Sequence, residues 1–294
     1  MRQVMLATIL LLCAAVPATR PIDRFVKPTD EQHHKALDRA HKLADDVQTA
    51  LDLQLTTIET SHFLIFTDWD AREHGFLKTA SESAYATVAK QFDLSPKDNV
   101  FVGKVSIYMF ATKESFQKYA REYDQYPAGD DLIGYYGAHD DGSGHLAMYK
   151  PELDPQRQNP PRQQWAYVMT RELSRAFLSR YRTDANLPVW LEEGIAETVA
   201  QSLFPSATIR AQAKLFAQAG DDFDYIFKAE ARPTKFFDPA VWSMTQLLLT
   251  DRKKFITYID ALKDGEDPQN ALQGIYGFDY PGFLKAWRGY AMSK

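Results

Sequence analysis

The chain reads as an α+β protein in which a small antiparallel or mixed sheet packs on helices and a helical lobe follows. Three observations predict this. Runs of β-forming residues at 57–66, 101–110 and 131–149 are confined to the first half, with helical stripes between them. A stretch carrying Pro151, Pro155, Pro160 and Pro161 interrupts the chain after them. Beyond it the apolar residues recur at three- and four-residue spacing. A 294-residue chain, 45% hydrophobic and 25% charged, is ample for a sizeable core. The expected segments are a leader at 1–18, an N-terminal helical segment at 19–56, a sheet-bearing part at 57–150 and a helical part at 151–294.

Arg2, the apolar run over 4–16 and the small-residue sequence Val16-Pro17-Ala18 form the charged, apolar and cleavable parts of a secretory signal peptide. The run is shorter than the roughly 20 apolar residues that a membrane-spanning helix needs. Cleavage after Ala18 and export, to the periplasm or the medium, are therefore expected, with no integral membrane span in the mature chain. Cys13, the single cysteine, lies inside this peptide and leaves the mature chain without a disulfide. Lipidation of Cys13 is the competing reading, against which Leu12 stands where a lipoprotein signal has a small residue. Removing 1–18 takes away Arg2 and no acid, so the formal net charge moves from −5 to −6. Such a balance gives no electrostatic reason to bind nucleic acid.

In chain order, residues 30–53 place Leu37, Ala40, Ala44, Val47 and Leu51 on one helical stripe. His34 and His41 on that helix are read as a solvated face, because a metal site needs more convergent ligands. Strands are expected at 57–66, ending Phe63-Leu64-Ile65-Phe66, and at 101–110, where Val105, Ile107 and Met109 alternate with Tyr108 and Phe110. Between them Leu77, Ala80, Ala84, Val88 and Phe92 mark a helix over 71–92, and Thr112 is placed to cap another that buries Phe116. Residues 131–149 read as a β-hairpin around His139-Asp140-Asp141-Gly142-Ser143-Gly144. The acids and histidines near its tip, His145 included, lack the repeat of a calcium loop and are read as a solvated turn. Later, Gly220 and Gly265 are placed to end helices, while Asp238-Pro239 and Asp267-Pro268 are placed to open them as N-cap and N1 pairs. Phe283 and Trp287 share the last helix. The chain has no Gly-rich phosphate loop and no G-x-S-x-G elbow.

The chemistry concentrates at 163–204. Over 163–181, Trp165, Met169, Leu173, Ala176 and Phe177 share a broad apolar face, with Arg171 and Arg175 one turn apart and Glu172 at its border. The next helix carries Leu191, Ile195 and Val199 on one stripe, and Trp190, Glu193, Glu197 and Ala200 on another, the pattern of a helix packed on both sides. By itself, Arg171-Glu172-Leu173-Ser174-Arg175 is a charged helix face with i,i+3 and i,i+4 pairs.

Together the two helices resemble the gluzincin zinc metallopeptidases, specifically the secreted bacterial peptidase-MA-like proteins. In that family a helix bearing H-E-x-x-H precedes an aromatic-Leu-x-Glu-Gly-x-Ala-Glu stretch, and Trp190-Leu191-Glu192-Glu193-Gly194-Ile195-Ala196-Glu197 matches the latter throughout. The resemblance implies a zincin-like fold. It puts Arg171 and Arg175 at the two histidine ligands, Glu172 at the general base and Glu193 at the third ligand, with Glu197 and Trp190 in support. Arginine stays protonated and its guanidinium offers no lone pair, so it does not replace imidazole. Two cations among the acids also repel a dication. The zinc site is therefore expected to be lost, with no metal or other cofactor, and Glu172 to be idle without a polarised water. Bidentate pairing of the arginines with Glu172, Glu193 and Glu197 is expected instead. An oxyanion-stabilising group is not identifiable, Tyr225 and Tyr258 being available by composition only.

The functional expectation is an exported, catalytically inactive peptidase-like protein that binds a peptide or protein, with Leu146, Ala147, Met148 and Tyr149 as a strand to which an extended ligand adds. The alternative is a hydrolase, peptidase or glycosidase, acting through Glu172 with Glu193 or Glu197. A glycosidase needs two acids of opposed pKa, and adjacent arginines depress both. A third reading has the arginines hold a phosphate or carboxylate ligand.

Overall fold

A computed structural model describes residues 28–138, 143–152, 161–219, 223–228 and 237–293. The expected signal peptide, the hairpin tip at 139–142, most of the proline-rich stretch and Gly220 lie outside the described residues.

Helix α1 (Asp30–Leu51) opens with a capping box, in which the Thr29 hydroxyl accepts from the Gln32 amide and the Gln32 side chain accepts from the Thr29 amide. Strands β1 (Thr56–Glu59) and β2 (Phe63–Thr67) follow and pair antiparallel. The single strand expected over 57–66 is thus a hairpin. Thr60 turns the chain, its hydroxyl accepting from the Phe63 amide at 3.0 Å, a local bond by which Ser and Thr compete with a continuing strand. After a 3-10 turn (Ala71–Glu73), α2 (His74–Gln91) crosses to β3 (Val105–Phe110). Phe101 and Val102 precede that strand because Asn99 folds the backbone back, accepting from the Phe101 amide and donating to the Gly103 carbonyl, both at 2.9 Å. Helix α3 (Lys113–Glu122), capped by Thr112, leads to the hairpin β4 (Gly134–Ala138) and β5 (Gly144–Tyr149).

The five strands lie in the order β1-β2-β3-β5-β4, with β2, β3 and β5 parallel and the outer two antiparallel to their neighbours. This corrects the assignment of Leu146, Ala147, Met148 and Tyr149 as a docking strand. Leu146 faces Ile107 on one side and Tyr136 on the other, so both rims of β5 are occupied. The apolar run of β5, buried on both faces, suits an interior position, whereas β4 becomes more exposed along its length. His145, near the start of β5, is buried and not part of a solvated turn.

Ala44, Val47 and Leu51 of α1 and Phe116, Tyr119 and Ala120 of α3 cover one face of the sheet. The other face carries Phe63, Ile65, Ile107, Met109, Leu146 and Met148 into a core that continues into the helical half. That half consists of α4 (Pro161–Arg180), α5 (Val189–Leu203), α6 (Ala207–Ala219), α7 (Asp224–Lys228), α8 (Phe237–Leu248), α9 (Arg252–Lys263), α10 (Pro268–Tyr276) and α11 (Tyr280–Ser293). Asp267 caps α10 with Pro268 at N1, and Gly265 follows α9 at φ +89°. Asp238 differs from expectation, because α8 already begins at Phe237 and Asp238 lies within its first turn. Among the described residues, no helix is long and apolar enough to cross a membrane.

Candidate functional site

Helices α4 and α5 pack against each other and bring two charged rows together. On α4, Trp165, Met169, Leu173 and Phe177 are buried in the core, which leaves Arg171, Glu172 and Arg175 at the border facing α5 and β4. On α5, residues 190 and 191 and 193–200 are all buried, so this helix is enclosed on every side. Gly194 explains how. A Cβ there would fall against the Thr245 hydroxyl and lie 2.5 Å from the Val241 carbonyl oxygen, so the missing side chain lets α8 approach α5 closely.

Arg171 is the centre of the cluster. Its Nη2 donates to Glu193 Oε2 at 2.7 Å, its Nε lies 3.5 Å from Glu197 Oε2, and its Nη1 lies 3.4 Å from Asp238 Oδ2. Arg175 donates through Nη1 to Glu172 Oε2 at 3.0 Å and through Nη2 to Glu193 Oε1. Both oxygens of Glu193 therefore rest on guanidinium groups, one from each arginine. Burial works against the charge of Arg171, but Asp238, Glu197 and Glu172 outweigh it and hold the guanidinium above its ordinary pKa.

The two cations face four carboxylates, and neutral donors serve the excess acid. Glu172 Oε2 accepts the Tyr136 amide of β4 at 3.1 Å. Glu197 Oε1 accepts from the Tyr167 hydroxyl and, at 2.9 Å, from the Gln201 amide. Burial, with the Glu197 charge beside it, raises the pKa of Tyr167 and keeps that hydroxyl a donor. Glu192, the neighbour of Glu193, has its carboxyl raised by burial, an effect that Arg175 opposes.

Of the residues singled out in the sequence, Arg171, Glu172, Arg175, Glu193 and Glu197 meet in one network. Trp190 does not join it. Its ring packs on Phe227 and Phe283 in the core. Tyr225 is exposed, and the Tyr258 hydroxyl reaches the Pro268 carbonyl, so neither touches the network. His34 bonds the Asp30 carbonyl and His41 lies edge-on to Phe66, so the α1 histidines do not converge. Asp238, Tyr167, Gln201 and the Tyr136 amide are additions the sequence did not reveal.

For a zinc ion the residues present do not fit. The Arg171 and Arg175 guanidiniums only donate hydrogen bonds, and Glu193, the carboxylate between them, is engaged on both oxygens. Among the described residues no group of three or more His, Cys, Asp or Glu side chains converges as an ion site. A cavity of about 540 Å³ opens beside the network, lined by Tyr167, Glu197, Gln201 and Asp238 together with Gln164 and Gln212. No protein-family model matches the chain, and no curated protein matches it.

Proposed function

We propose that this chain is an exported peptidase-like protein of gluzincin descent that no longer hydrolyses peptides and instead binds a peptide or protein. The double engagement of Glu193 by Arg171 and Arg175 carries this reading. It puts two fixed cations where the resemblance calls for a metal, and no group is left to polarise a water for Glu172. Strand addition at β5 is excluded by its two neighbours, so the ligand engages the cavity at Glu197 and Asp238. The primary amides of Gln164, Gln201 and Gln212 around that cavity both donate and accept, as a peptide backbone requires.

The test uses the purified full chain. Metal analysis is expected to find no stoichiometric zinc, and a random peptide library is expected to yield binders without cleavage. Arg171→His combined with Arg175→His is expected to gain zinc affinity, since the acids are already in place. Zinc in the native protein, or peptide cleavage that Glu172→Gln abolishes, would overturn the inactive reading in favour of a hydrolase working through Glu172.

A further inference from the structure

On the sheet face opposite the arginine network, a second cavity of about 490 Å³ lies between α1 and the starts of β3 and β5. Its volume is in the range of small-molecule sites, which pair apolar walls with a few placed polar groups. Ala36, Ala40 and Leu43 of α1 supply the wall. Ser106 and His145, register partners on adjacent parallel strands, supply the floor. Both are buried on the face that also carries Leu64, Phe66, Tyr108, Phe110, Tyr135 and Ala147. His145 is oriented by Asp124, 2.8 Å from its Nε2, while the Ser106 hydroxyl makes no hydrogen bond among the described residues.

Charge around this cavity is biased. Among the described residues, Arg39, Lys42 and Lys104 line it with one acid, Asp46. Lys42 pairs with Asp46 and Lys104 with Glu59, each at 2.7 Å, and in each pair at least one partner is well exposed. The Lys42–Asp46 pair, exposed on both sides, contributes little, whereas Lys104 is largely covered and also donates to the Thr60 carbonyl. The cavity is also preformed. At one end of α1 the Gly103 amide donates to His33 Nδ1 at 2.8 Å, and Gly103 adopts φ +71° so close to the helix that a Cβ would lie 3.0 Å from the Ala36 side chain. Further along the helix the Tyr123 hydroxyl donates to the Asp46 carbonyl at 3.0 Å. The helix therefore spans the cavity as a fixed roof, and little ordering is needed on binding.

We infer that this cavity is a binding site for a small organic anion with an apolar body, its acid group held by Arg39, Lys42 and Lys104, its chain against Ala36, Ala40 and Leu43, and a polar atom on Ser106. The site is independent of the arginine network and of the function proposed for it. Titration of the full chain with anilinonaphthalene sulfonate, followed by fluorescence, is expected to show one saturable site from which octanoate, but not octanol, displaces the dye. Ala40→Trp fills the cavity and is expected to weaken both anions by at least about tenfold. Arg39→Gln with Lys42→Gln, on the exposed side of α1, is expected to weaken octanoate and the dye, both anions, while leaving the circular dichroism spectrum unchanged. If Ala40→Trp does not fold, the double variant decides. Octanoate affinity unchanged by the double variant, competition by octanol equal to that by octanoate, or no saturable binding of the dye would overturn the inference.

Discussion

Arg171 and Arg175 sit one turn apart on α4, yet their surroundings differ. Arg171 is buried and lies within 3.5 Å of three carboxylates, from Glu193, Glu197 and Asp238, whereas the side chain of Arg175 is 22% exposed and reaches two. Removing one partner of a buried ion pair costs about 3–5 kcal/mol, because the other charge is left uncompensated. Arg171→Ala is therefore expected to destabilise by about that amount, and Arg175→Ala by less than half of it because water replaces part of its contacts. Urea unfolding of the two variants measures both, and equal losses would contradict the ranking. The pairing of the arginines with the glutamates was legible because both helices carry their charges at i,i+4 spacing. Asp238 was not. It lies 67 residues from Arg171 and, followed by Pro239, has the local appearance of a helix cap. The Tyr136 amide leaves no side-chain signal of any kind.

At the level of elements, α5 depends on a residue that local propensity disfavours. Glycine inside a helix is worse than alanine by roughly 0.5–1 kcal/mol, so Gly194→Ala would stabilise an isolated helix. Here the added methyl group runs into Thr245 and the Val241 carbonyl of α8, and backbone cannot rotate away as a side chain does. The substitution is expected to cost about 1–3 kcal/mol net, as overpacking does. Chemical denaturation reads the sign directly, and a stabilised variant would mean that α8 shifts freely. Helix positions and the β4–β5 hairpin were readable from periodicity and turn residues, but two features of the sheet were not. The turn at Thr60 is made by a single hydroxyl inside a run of β-formers. Insertion of β5 between β3 and β4 is a choice of strand order, which alternation along one strand does not encode.

Across the whole molecule, α9 holds the loop between α4 and α5. Arg182, at φ +67°, donates through Nε to Asp264 Oδ1 at 2.7 Å, the Tyr181 hydroxyl donates to Asp260 at 2.8 Å, and Lys263 Nζ donates to the carbonyls of Leu178 and Ala185. Burial pushes the Lys263 ammonium down to about 8 from 10.5. Between those values the unfolded chain holds a proton that the folded chain lacks, so this group favours folding more as pH rises from about 8 to 10.5. Comparison with Lys263→Met cancels the opposing titration of buried tyrosines. The stability difference, native minus variant, is expected to grow over that window by on the order of 3 kcal/mol. A difference that stays flat with pH would place the lysine in a solvated setting. Fold class was legible from the segregation of strand and helix patterns. The clasp on the α4–α5 loop was not, since its members come from two segments about 80 residues apart.

The open sheet ends at β4, and the Tyr149 amide bonded to the Ile133 carbonyl sets the alternation of that rim. Tyr135 and Gly137 then turn their backbone groups inward to β5, while Gly134, Tyr136 and Ala138 turn theirs outward. An outward row of this kind is a template on which a second copy can zip and a fibre can grow. Glu172 takes the central amide of that row. Glu172 thus occupies, from α4, an amide that a further strand would need for pairing at this rim.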